Sequence, residues 1–315
     1  MSNPRTHALP IVPTPHPQVA ACARPRPAAN PTSEHPSAEN PTMNDALLIP
    51  SPTGSTRLYA VVGDPIAQVQ APTLLNRLFA ERGIDALMLP VQAGAADFAT
   101  VIEGLKRIGN LDGLLITVPH KLAVAAHADE QSLTVALTGS SNALRRQADG
   151  RWLADNFDGA GFVAGLRDAG RDPEGWRVAL FGSGGAGSAI AVALLQAGIA
   201  RLDLFDVDRA RAGRFAERLE QHWPGRVRVL DAARPGEVEL AINATPIGMR
   251  PDDPLPFELD GLAPRTLIAD IIMKPAETRL LQSAAARGHA VQPGIHMLSS
   301  QLGLYRQFFG LDPAQ

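Results

Sequence analysis

The chain has 315 residues, a formal net charge of −3, 45% hydrophobic and 19% charged residues, and one cysteine, Cys22. That length fits two domains of ordinary size with a sizeable core, and the slight acidity gives no electrostatic reason to bind nucleic acid or an anionic membrane. A lone cysteine forms no internal disulfide, which fits a reducing cytoplasm; no uninterrupted apolar run reaches the ~18 residues of a membrane span, and no compact apolar segment reads as a signal peptide.

Residues 1–42 hold ten prolines and no periodicity, a composition that cannot bury enough apolar surface to offset its ordering entropy. They read as a disordered tail; Met43 as the true start is the alternative. Order is predicted from Leu58-Tyr-Ala-Val-Val-Gly63, a strand. Pro72 opens a helix that ends at Gly83. Ala86-Leu-Met-Leu is a strand, Phe98 to Ile108 a helix, and Gly113-Leu-Leu-Ile-Thr-Val118 a continuous apolar strand expected to be parallel and covered on both faces. Asn142-Ala-Leu-Arg and Arg151-Trp-Leu-Ala flank Asp149-Gly150, a hairpin signal. A helix follows from Gly159 to Ala169.

Val178-Ala-Leu-Phe then runs into Gly182-Ser-Gly-Gly-Ala-Gly187, an apolar helix from Ser188 to Ala197, and a strand from Arg201 to Phe205 that ends in Asp206. This strand–turn–helix–strand–acid order is the punctuation of a dinucleotide site. Gly182 permits the tight turn, Gly184 lets backbone approach a pyrophosphate, and the helix N-terminus meets its charge. Asp206 stands where a carboxylate can take the ribose hydroxyls of NAD and repel a 2′-phosphate. Later strands are predicted at Val227-Arg-Val-Leu, Leu240-Ala-Ile-Asn and Thr266-Leu-Ile-Ala-Asp, and helices at Ala276 to Arg287 and His296 to Phe309. The alternation argues for two α/β domains.

A dinucleotide unit names no substrate, so other polar groups must. Lys121, in Thr117-Val-Pro-His-Lys121, sits past a strand end at the mouth of the next helix, facing the crevice where open α/β sheets bind ligands; a solvated surface lysine is the plainer alternative. In Asp155-Asn-Phe-Asp158-Gly, Asp158 reads equally as a helix N-cap and Asn156 as a turn residue. Gly139-Ser-Ser-Asn142, Asn243-Ala-Thr-Pro-Ile-Gly-Met249 and Gly294 through Gln301 each have an ordinary turn, cap or polar-face reading as well. The eight histidines show no metal-ligand spacing, so no metal is expected.

Taken in order, these stretches and Gly63-Asp-Pro-Ile-Ala67 resemble the shikimate/quinate dehydrogenase family over Leu58 to Phe309. The resemblance implies a two-domain α/β protein with the active site in the cleft. A tail would occupy 1–55. The substrate-binding domain would span 56–157, completed by 294–312, and the Rossmann dinucleotide-binding domain 158–293. It implies an NAD(P)-dependent oxidoreductase acting on a small polyol, monomeric or homodimeric. Lys121 and Asp158 match the family's catalytic pair. Hydride leaves carbon while the hydroxyl proton must go elsewhere, and a lysine–carboxylate pair is a shared site for that proton. Thr117, Asn142 and Gln301 match positions that bond the substrate's ring hydroxyls. Gly182, Ser183, Gly184, Gly185, Ala186, Asp206, Asn243, Thr245 and Gly294 are the expected cofactor contacts.

Departures from the family pattern bear on substrate and cofactor. Where shikimate enzymes carry Ser-x-Ser for the substrate carboxylate, this chain has Gln68-Val69-Gln70-Ala71. Two hydroxyl donors are lost where an anion should sit, and a buried carboxylate without partners is costly; Gln68 and Gln70 would have to turn inward to replace them. Met273 stands in place of a tyrosine. Asp206-Val207-Asp208 replaces the Asn-Arg-Thr of NADP enzymes, from which NAD is expected over NADP, unless Arg209 or Arg211 reaches back. The leading expectation is a shikimate- or quinate-like cyclic polyol. A substrate lacking the carboxylate and a low-turnover NAD(H) sensor are the alternatives.

Overall fold

Residues 51–311, the part of the chain that this computed structural model describes, are organised by two six-stranded sheets within one compact unit. All but the last five residues of the expected 1–55 tail lie outside the described residues.

The first sheet is built from β1 (Arg57–Gly63), β2 (Ala86–Gln92), β3 (Leu111–Ile116), β4 (Glu130–Gln131), β5 (Ala143–Arg146) and β6 (Trp152–Asp155), in the order β2-β1-β3-β5-β6-β4. It is mixed. β3 is parallel to β1 but antiparallel to β5, so the wholly parallel setting expected for it holds on one side only. β5 and β6 form the hairpin predicted at Asp149-Gly150. Both faces are buried, as the alternation in β1 shows: Tyr59 and Val61 join one apolar cluster, Ala60 and Val62 the other. The first face packs on α1 (Ala71–Arg82) and on α8 (Ile295–Phe308), with Tyr59 and Phe309 ring centroids 5.0 Å apart. The second face packs on α2 (Phe98–Lys106).

The second sheet is wholly parallel, with strands β7 (Arg177–Phe181), β8 (Arg201–Phe205), β9 (Val227–Val229), β10 (Leu240–Asn243), β11 (Leu267–Asp270) and β12 (Val291–Gln292). Its order, β12-β11-β10-β7-β8-β9, is that of the doubly wound dinucleotide fold. The strand order reverses between β7 and β10, where such sheets open a ligand crevice. α5 (Gly185–Gln196) and α6 (Arg209–Glu220) cover one face, and α7 (Arg279–Ala286) the other. α6 is not expected from the sequence, since its surface is crowded with arginine and glutamate. Its apolar stripe, Ala212, Phe215, Ala216 and Leu219, is nevertheless at helical spacing. Nor is α3 (Leu133–Thr138) expected, a short helix capped by the Ser132 side chain. The helix expected just after Lys121 is a single 3₁₀ turn, Val124–His127. Among the described residues no helix is long and apolar enough to cross a membrane.

α4 (Asp158–Asp168) joins the two halves, packing on both α5 and α8. Contact this close needs a residue without a side chain. A Cβ on Gly159 would collide with the Ala189 backbone carbonyl of α5, and one on Gly161 with the Gln301 side chain of α8. Replacing Gly159 by alanine should therefore destabilise the fold by about 1–3 kcal/mol, the usual cost of overpacking. In α2, where Gly104 faces open space, the same change should stabilise by roughly 0.5–1 kcal/mol. Urea unfolding of the two variants checks this, and equal shifts would show that the α4–α5 contact is not close-packed.

Candidate active site

The loop after β3, the start of β5, the start of α4 and the second turn of α8 converge on one carboxylate. Asp158 is 2% exposed. Its Oδ2 takes the Lys121 ammonium at 2.5 Å, and its Oδ1 accepts from Asn142 Nδ2 at 3.0 Å and Gln301 Nε2 at 3.3 Å. A carboxylate has only acceptors to offer, so each neighbour turns a donor toward it. Asp158 is the first helical residue rather than the cap; the Asn156 side-chain oxygen accepts its backbone N–H at 3.0 Å. Phe157, not Asp158, is thus the cap residue, and Asn156 forms the turn as expected.

Tyr305, one turn beyond Gln301 on α8, was missed by sequence reasoning. Its hydroxyl donates to Gln301 Oε1 at 2.5 Å and accepts from Asn142 Nδ2 at 3.1 Å. Burial first, and then the Asp158 charge, push the phenol well above its ordinary range, so it stays protonated. The i, i+4 spacing from Gln301 was the signal that could have found it.

Thr117 lies half-buried just past β3, its N–H donating to the Val62 carbonyl at 2.9 Å. Gln68 and Gln70 bond within their own turn: Gln68 Nε2 donates to the Pro65 carbonyl at 2.7 Å and Gln70 Nε2 to the Gln68 carbonyl at 3.4 Å. Val69 and Ala71 pack against the apolar cluster that includes Leu75 and Tyr305. His120 is structural, stacked on Phe98 and bonded to the Ala93 carbonyl.

The glycine turn follows β7. Gly182 has φ of +100°, accessible without strain only to glycine. Gly184 faces open space and precedes α5, whose N-terminus has no side-chain cap, so the first-turn N–H groups are open to an anion such as a pyrophosphate. The turn adjoins the lysine: a Cβ built on Gly185 would lie 3.0 Å from Lys121 Cβ, and Ser140 Oγ donates to the Gly185 carbonyl at 3.0 Å. Asn243, at the end of β10, organises the loop across the crevice. Its Oδ1 accepts from both the N–H and the hydroxyl of Thr245, and its Nδ2 donates to Asp270 and the Ile247 carbonyl. Burial raises the Asp270 carboxyl, against the bonds it accepts from the Ile272 N–H and from Thr278 and Asn243. Gly294 caps α8 where a Cβ would press on the Ile271 carbonyl.

Asp206 is 3% exposed. It accepts from the Ser183 N–H and hydroxyl, each at 2.7 Å, from the Asp208 N–H at 2.9 Å and from Arg211 Nη2 at 2.7 Å. Arg209 instead lies over Phe205 and donates to the Leu230 and Asp231 carbonyls.

A family model described as the shikimate dehydrogenase substrate binding domain matches residues 61–144. The shikimate dehydrogenase (NADP(+)) of Rubrobacter xylanophilus is 35% identical over 274 residues, 85% of this chain and 95% of that enzyme. Among solved structures, ligand-free 5-ketofructose reductase of Gluconobacter sp. strain CHM43 superposes with a TM-score of 0.72 at 28% identity, covering 82% of this chain and 95% of that one. Shikimate 5-dehydrogenase from Thermus thermophilus, in complex with NADP(H) and shikimate, gives 0.72 at 27% identity over the same shares.

These relatives overturn the expected preference for NAD over NADP, since the Rubrobacter enzyme is named for NADP(+) and the Thermus enzyme holds NADP(H). The physical reason lies at Asp206. Its carboxylate is engaged by the turn and by Arg211, so it is neither free for ribose hydroxyls nor an uncompensated charge against a 2′-phosphate. Burial works to raise the Asp206 carboxyl, but the Ser183 hydroxyl, Arg211 and the Ser183 and Asp208 N–H groups outweigh it and hold it below the ordinary 3.8. A carboxylate lowered on folding stabilises the fold above its unfolded value, and that contribution is lost as pH falls through the folded one. Melting temperature should therefore drop as pH falls below about 4, and less steeply in Asp206→Asn. Parallel curves would show that Asp206 does not hold the turn.

Proposed function

Because this chain belongs to the shikimate dehydrogenase family of NAD(P)-dependent oxidoreductases acting on CH–OH groups, we propose that it moves hydride between NADP(H) and a polyol that carries no carboxylate. The observation that carries the reading is the apolar corner at Val69 and Ala71. Neither residue offers a polar side chain, and the amides of Gln68 and Gln70 are engaged within their own turn. An anionic group placed there would meet no hydroxyl donor from either position, and desolvating it is costly. The Gluconobacter relative, named for a keto sugar rather than an acid, supports the same direction. Shikimate itself is the second reading, favoured by the 35% identity to enzymes named for it.

Lys121 and Asp158 are the proposed proton-transfer pair. A bound nicotinamide supplies or accepts the hydride. In the oxidation, the carbon loses hydride and the hydroxyl loses its proton to the Lys121–Asp158 pair; in the reduction the pair returns it. Asn142 and Gln301 hold the Asp158 carboxylate so that Oδ2 faces the ammonium. Thr117 and the remaining donor of Gln301 are left to orient substrate hydroxyls. At the proposed cofactor turn, Ser183 through Ala186 take the pyrophosphate, and Arg211, 42% exposed beside Asp206, supplies the cation for a 2′-phosphate.

The test is NAD(P)H absorbance at 340 nm with shikimate, quinate and 5-ketofructose, each with NADP(H) and NAD(H). Turnover of 5-ketofructose with little of either acid is the expected result; efficient shikimate oxidation would overturn the uncharged-substrate reading. Lys121→Ala should lower kcat by about 10²–10⁴-fold, the worth of a positioned acid–base group, without loss of NADPH binding; unchanged kcat would remove the pair from the mechanism. Val69→Ser with Ala71→Ser should raise kcat/KM for shikimate about tenfold, since one or two regained hydrogen bonds are worth about 1.4 kcal/mol. No gain would mean that this corner does not face the substrate.

A further inference from the structure

We propose that Tyr305 is a positioning residue for the Lys121–Asp158 pair, acting through the two amides. The inference rests on the proton-pair reading above, and independently on the hydrogen-bond accounting around one buried hydroxyl.

Asn142 and Gln301 both carry primary amides, and an amide can face a neighbour with either end. Asp158 accepts only, so catalysis through it requires the NH₂ end of each. Two contacts fix that choice. Asn142 Oδ1 accepts the Phe157 N–H at 2.9 Å, which leaves its two N–H groups for Asp158 and Tyr305. The Tyr305 oxygen, having accepted from Asn142, has one proton left to give, and Gln301 Oε1 takes it. That bond pins the oxygen end of Gln301 toward Tyr305 and turns its nitrogen toward Asp158. The Phe157 N–H thus sets the direction of Asn142, and the Tyr305 hydroxyl passes that direction on to Gln301.

The hydroxyl suits this role because it does not ionise. It is buried, it lies against the Asp158 charge, and both raise it. A phenolate would present one more acceptor to Gln301 Oε1 and release the amide. Its ring is held by edge contact with Phe157, the residue just before Asp158, at 5.6 Å between centroids. Tyr305 and Asp158 are therefore kept in register by packing as well as by the amides.

The test is a double-variant cycle of Tyr305→Phe, Gln301→Met and their combination, using whichever of shikimate, quinate and 5-ketofructose the unaltered enzyme turns over best. A failure of the uncharged-substrate reading then leaves this test intact. Tyr305→Phe keeps the ring and should lower kcat roughly 10–100-fold, the scale of a small misplacement of catalytic groups, with NADPH affinity unchanged. Gln301→Met breaks the same bond from the other side, and the double variant should be no slower than the slower single, because the two residues act as one unit. Multiplying losses would overturn the proposal, as would a Tyr305→Phe enzyme that melts earlier yet keeps its kcat. Should Tyr305→Phe fail to fold, Gln301→Met and Gln301→Glu decide. Glutamate keeps an acceptor for Tyr305 but brings a second acceptor toward Asp158, so it should be at least as slow as Met; a faster Glu variant would overturn the proposal.

Discussion

One buried carboxylate, Asp158, organises the meeting of the two sheets. Asp158 sits at the first turn of the helix that joins the two sheets, almost out of reach of water. Left alone there, a carboxylate would be prohibitively costly. The fold supplies an ammonium and two amide donors from three distant stretches of chain. Each must arrive within about 3 Å, and each is delivered by a different device. The loop after β3 brings Lys121, the β5–β6 hairpin brings Asn142, and α8 crosses back over the first sheet to bring Gln301. The close glycine contacts of α4 with α5 and α8 serve the same end, since a looser helix would carry Asp158 away from its donors.

The cofactor side meets this charge through one short seam. Lys121 lies against Gly185, and Ser140, two residues before Asn142, is bonded to the Gly185 carbonyl. The turn proposed to hold pyrophosphate and the lysine proposed to hold the proton thus share a wall. Contacts between the halves, rather than either half alone, fix how the turn and the lysine face each other.

Most of the architecture was legible because both sheets are buried on both faces, which yields the apolar runs at Leu58–Gly63, Val178–Phe181 and Leu240–Asn243. Pro72, Gly83 and Asp149-Gly150 gave usable boundaries. The two-residue strands β4 and β12 carry no periodicity to read, and α6 hid its apolar stripe among charges. At the site, Lys121, Asp158, Asn142 and Gln301 stood out because they fall in recognisable stretches, and they converge in space. Tyr305 did not, because an aromatic residue on an amphipathic helix ordinarily means core; only the three-dimensional meeting with Asn142 distinguishes it. Asp206 misled for a related reason. Its position argued from charge alone, whereas Arg211, five residues on, returns along the first turn of α6 to neutralise it.

The path of α8 also bears on how the protein is made. The strands of the cofactor sheet all come from one continuous stretch, Arg177 to Gln292. The first sheet differs. Its Tyr59–Phe79 face is completed by Tyr305, Phe308 and Phe309, which lie 150–154 residues beyond the end of the last strand of that sheet. At about 5–20 residues per second of synthesis, roughly 8–30 seconds pass before α8 can join α1 on that face. For that interval the half of the protein made first carries an apolar face only partly covered.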